Sequence, residues 1–65
     1  MNVTVNGEPR ELPEHETVAA LLARLNLSPD KVAVELNRRI LRTERYDTPL
    51  KQGDVIEVVT FVGGG

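Results

Sequence analysis

A chain of 65 residues is at most one domain; it buries roughly 60% of the surface its unfolded form exposes, and so small a core does not enclose the ~300–1,000 Å³ pocket of a self-contained enzyme. With no cysteine it has no disulfide, thiolate nucleophile or zinc–thiolate site, and a small domain without disulfides fits a reducing compartment, so a cytoplasmic location is expected. A net charge of −2 with one Tyr and one Phe argues against nucleic acid, while 40% hydrophobic and 28% charged residues describe an ordered soluble fold.

The opening stretch MNVTVNGEPREL lacks a basic start and a long apolar run, so no signal peptide is expected. No segment approaches the ~20 apolar residues of a membrane span, and no membrane partner is expected. Met1, Val3 and Val5 alternate with Asn2, Thr4 and Asn6, the period of a half-buried strand. Asn6-Gly7 is the pair a type I′ hairpin turn prefers, because both central residues need positive φ. The chain then returns as a second strand through Glu8 to Leu12, held to a sheet edge by Pro9, which has no N–H to give a ladder.

PEHE reads as a polar loop, and Thr17 as the N-cap of a helix. Val18, Leu21, Leu22 and Leu25 fall at i, i+3, i+4 and i+7, a stripe on one side of a helix of about three turns. Asn26 suits the left-handed position that ends a helix, with Leu27 folding back onto Leu22, and Pro29 blocks continuation. KVAVELN alternates again, with Val32, Val34 and Leu36 on one face, and Ile40-Leu41 predicts a further brief strand. RTERYDTPLKQGD is an irregular connector anchored by Tyr46 and Leu50 under the sheet, with a turn at Gly53-Asp54. VIEVVTFV is the strongest strand, apolar on both faces, and belongs at the sheet centre beside the first. These elements make an α+β fold: a mixed sheet of four to five strands packed on one helix, which links the second strand to the third by a right-handed crossover.

Val59 and Phe61 lie on one face of the last strand, Ile56 and Val58 on the other. With a single helix available, the first pair is expected to stay exposed as a docking patch. Arg38, Arg39, Arg42 and Arg45 cluster around the fourth strand, either as a surface for an acidic partner or as a solvated charged face. Glu8, Glu11, Glu14 and Glu16 form no pair placed for acid–base work, and His15, the single histidine, makes neither a metal site nor a triad. The sequence stops at TFVGGG, so residues 1–62 read as a globular body and 63–65 as a flexible glycine tail. The glycine run is not followed by a helix with a Lys in the sequence, so a phosphate-cradling loop, which leads into such a helix, is not expected.

The element order, the VAVELN strand, the ILRTERY connector, LKQGDVIEVV and the FVGGG ending together resemble the bacterial thiamine-biosynthesis sulfur carriers (ThiS), of the ubiquitin-like β-grasp fold. That family usually ends in a glycine pair; Gly64 and Gly65 take those positions and Gly63 is one more. The resemblance implies a carrier, not an enzyme. A ThiF-like adenylating enzyme of the ubiquitin-activating type would spend ATP on the Gly65 carboxylate. Sulfur from a cysteine desulfurase or another donor would then give a thiocarboxylate, and a ThiG-like thiazole synthase would accept it. On this reading Gly65 is the modified residue, and Gly63, Gly64, Gly65, Val59, Phe61 and Val62 meet the partners. No cofactor would be bound, and the free chain would be a monomer. A tail threading a narrow slot needs backbone freedom and no Cβ, which glycine supplies. The same features also fit a carrier for molybdopterin or another thiolation pathway, conjugation to protein lysines, or a ubiquitin-like interaction module that is never activated.

Overall fold

The computed structural model describes residues 1–61. Strand β1 (Asn2–Val5) buries Val3 and Val5 and turns at Asn6 and Gly7, whose φ angles are 50° and 82°. Both values are positive, as the Asn-Gly pair requires. Strand β2 (Glu8–Glu11) returns antiparallel with Pro9 opposite Thr4.

Helix α1 (Val18–Arg24) starts where the Thr17 hydroxyl accepts the Ala20 N–H at 3.1 Å. It has seven residues, about two turns where the apolar stripe predicts three. The shortening has a local cause. Asn26 sits at φ 60°, the Asn26 N–H donates to Ala23 O at 3.0 Å, and the Leu27 N–H donates to Leu22 O at 2.9 Å. These two bonds close the helix as a Schellman motif and leave Leu25 as its cap. At the other end the connector satisfies the helix: the Val18 N–H donates to Thr48 O at 3.1 Å and the Ala19 N–H to Tyr46 O at 2.8 Å. These are donors that a helix start leaves unpaired.

A short 3₁₀ turn at Pro29–Lys31 leads into β3 (Val32–Leu36), which pairs antiparallel with β4 (Arg39–Leu41) through Asn37 and Arg38. After a second 3₁₀ turn, Thr43–Arg45, and the connector, β5 (Val55–Thr60) runs parallel to β1 and antiparallel to β3. The five strands lie in the order β2-β1-β5-β3-β4, with β5 at the centre beside β1. Val18, Leu21 and Leu22 of the helix pack with Val34 and Ile56 of the sheet in one fully buried cluster, and Tyr46 and Leu50 close it from the connector. All the sheet's buried side chains thus face the helix. Among the described residues no helix is long and apolar enough to cross a membrane.

Candidate functional site

The site is built around the two faces of β5. Ile56 and Val58 point into the core, whereas Val59 and Phe61 are 61% and 58% exposed on the opposite face. The register sets Val59 opposite Ala33 and Glu57 opposite Glu35, and sets Glu35 opposite Ile40 on the next strand. Ile40, 68% exposed, therefore joins the same outer face. The result is a shallow depression of about 450 Å³ lined by Ala33, Glu35, Arg38, Ile40, Glu57 and Val59. Its lining mixes apolar side chains with charges of both signs, the make-up of a protein-docking surface. Sequence reading finds Val59 and Phe61 from strand parity but misses Ile40, whose place depends on a pairing register across three strands.

Two contacts fix the strand under this surface. The Phe61 N–H donates at 2.8 Å to the carbonyl of Lys31, the residue that leads into β3, so the chain is held up to the last described residue. On the other flank, β1 pairs with β5 only at Val55 and Ile56 before it turns away. There the Asn6 side chain continues the ladder: its Oδ1 accepts the Val58 N–H at 2.7 Å and its Nδ2 donates to Val58 O at 3.2 Å. Val62, Gly63, Gly64 and Gly65, and the expected boundary between the 1–62 body and the 63–65 tail, lie outside the described residues.

The basic residues divide. All four are exposed. Arg38 lines the depression from a turn in which both Asn37 and Arg38 have positive φ, 52° and 70°. Arg42 lies 3.8 Å from the Glu44 carboxylate with both side chains largely in solvent, a geometry that contributes little. His15 is exposed in its loop at φ 69°. Glu16 departs from the polar-loop reading: its side chain is only 6% exposed and its carboxylate accepts from Arg24 Nε and an Nη, each at 2.8 Å. Those hydrogen bonds outweigh the opposing effect of burial and hold its carboxyl below the ordinary glutamate value. Among the described residues no group of His, Cys, Asp and Glu could hold a metal ion.

Comparison with known proteins places these features in context. The ThiS family model matches residues 3–65. The chain is 44% identical over 64 residues to the sulfur carrier protein ThiS of Thermus thermophilus, an alignment covering 97% of this chain and 98% of that protein. It is 41% identical over 66 residues to a thiazole synthase of Magnetococcus marinus, covering 100% of this chain but only 20% of the synthase. The crystal structure of the thiamine biosynthesis protein ThiS from Geobacter metallireducens superimposes with a TM-score of 0.80 at 42% identity, covering 100% of both chains. The five-stranded sheet on one helix is thus the β-grasp architecture of a ThiS protein.

Proposed function

Because the chain belongs to the ThiS family, we propose that it is the sulfur carrier for thiazole formation in thiamine biosynthesis, with its cargo held on the Gly65 carboxylate. The observation that carries this reading is the family match, which runs through residue 65 and so takes in the glycine run. The chemistry follows from what a carboxylate lacks. Its negative charge repels nucleophiles and it has no good leaving group. Attack of the Gly65 carboxylate on the α-phosphorus of ATP expels pyrophosphate and leaves an acyl-adenylate that is open to attack. A persulfide sulfur, supplied ultimately by a cysteine desulfurase or another donor, then displaces AMP to give an acyl disulfide. A second thiol of the partner attacks the outer sulfur of the S–S bond, forming a disulfide with the donor cysteine and releasing the thiocarboxylate. Thiazole synthase takes the sulfur from it.

Each catalytic group in that sequence belongs to a partner, a ThiF-like adenylating enzyme first and a ThiG-like thiazole synthase second. The chain is their substrate; it binds no cofactor, and ATP is spent in the adenylating enzyme. It works in the cytoplasm and is a monomer when free. Gly63, Gly64 and Gly65 give ~10 Å of side-chain-free reach, and Val59, Phe61 and Val62 meet the partner's surface. The outer face of β5, apolar and exposed beside the strand end that leads to these residues, supports that division of labour.

The test is intact-mass analysis of the chain after incubation with its adenylating enzyme, ATP and a sulfur donor. The expected product has one oxygen replaced by sulfur at Gly65, and deletion of Gly64 and Gly65 abolishes both loading and transfer. A shortened chain that still passes on sulfur overturns the reading.

A further inference from the structure

The β1-side edge of β5 is only partly filled. Two hydrogen bonds fix which way each residue of β5 presents its backbone: Phe61 N–H to Lys31 O and Asn37 N–H to Val55 O. Odd-numbered residues therefore turn their N–H and C=O toward β3, and even-numbered residues turn theirs toward β1. The Ile56 C=O accepts the Asn6 N–H at 2.9 Å, and both polar groups of Val58 are taken by the Asn6 side chain. Thr60 comes next. Its register partner on β3, Val32, lies in a pair that exchanges no hydrogen bonds, and β1 has already turned away. Among the described residues neither the N–H nor the C=O of exposed Thr60 has a partner on this side.

We propose that this open edge at Thr60 is where an extended segment of thiazole synthase adds to the sheet, exchanging two backbone hydrogen bonds with Thr60. A main-chain donor and acceptor side by side on a strand edge match one kind of occupant, another extended backbone. The Asn6 side chain closes the ladder on one side, so the added segment lies toward the C-terminal end of β5. Gly65 lies five residues beyond Thr60, at most ~18 Å of extended chain. The protein that pairs at Thr60 is therefore one whose reactive site receives Gly65. Among such proteins the synthase is favoured because its relatives carry a match to this entire chain within their own polypeptide. The inference rests on the carrier reading and adds to it the mode of docking.

The test uses the full-length chain and the thiazole synthase of the same organism. Amide hydrogen exchange is run in the complex, quenched, and read by NMR on the released carrier. The expected result is exchange at the Thr60 amide slowed more than about tenfold relative to the free chain. T60P removes the same N–H, which has no partner to lose among the described residues, so its thermal midpoint stays near that of the unaltered chain. Its affinity for the synthase falls about tenfold. A Thr60 amide that exchanges at its free rate in the complex, or a folded T60P that binds undiminished, overturns the edge pairing and leaves the carrier reading intact. If T60P does not fold, the exchange measurement on the unaltered chain decides alone. A full-length chain that neither binds the synthase nor acquires sulfur overturns both.

Discussion

The Glu16 carboxylate accepts two hydrogen bonds from the Arg24 guanidinium, and this makes stability depend on pH. The pairing holds the folded-state pKa of Glu16 below its value in the unfolded chain. The stabilisation is therefore fully present above the ordinary glutamate range and is lost as pH falls through the depressed folded value. Thermal midpoints measured from neutral pH down into the acid range should fall, and Glu16→Gln should flatten that slope while lowering the midpoint at neutral pH. An unchanged slope would mean that another carboxylate carries the effect. This residue also marks where local reading stops. Glu16 lies among polar neighbours in PEHE, and only the helix geometry that brings Arg24 over it, eight residues on, reveals a buried acid. Thr17, Asn26 and Gly7 were legible because each answers a local demand, an N-cap hydroxyl or a positive φ, that a few adjacent residues suffice to state.

At the scale of the element, strand parity and turn chemistry identify all five strands and the helix, and β5 is recognisable as central from its apolar character on both faces. What they miss are contacts between elements far apart in sequence. The Asn6 side chain stands in for two backbone groups of the ladder to Val58, 52 residues away, while its backbone makes the turn for which it was recognised. Asn6→Gly separates these roles, because glycine keeps the positive φ and removes the amide. Loss of the two bonds beside a buried Val58 should cost about 1–2 kcal/mol. In a domain of this size that lowers the thermal midpoint by roughly 4–8 °C per kcal/mol. A variant as stable as the parent would show that water replaces the side chain without loss.

For the whole molecule, one helix covers one side of the sheet, so the two faces of β5 answer to different constraints. Ile56 is fully buried, and Ile56→Ala should cost about 2–5 kcal/mol. That is a large part of the ~3–10 kcal/mol expected for a chain of this length. On the outer face, Val59→Thr combined with Ile40→Thr keeps the β-branched shape and should shift stability by about 0.5 kcal/mol or less per site. The same pair should weaken binding to the adenylating enzyme proposed above about tenfold, as loss of a docking contact does. Equal effects on stability from inner and outer substitutions would show that the outer face is part of the core. The placement of β5 also has a mechanical consequence. Hydrogen bonds to β1 and Asn6 on one flank and to β3 on the other lie across the strand. A pull along its C-terminal end loads them together in shear, instead of unzipping them singly. A pull applied beyond Phe61 is thus resisted by both flanks at once, and the body is braced at the end of the strand that leads out of it.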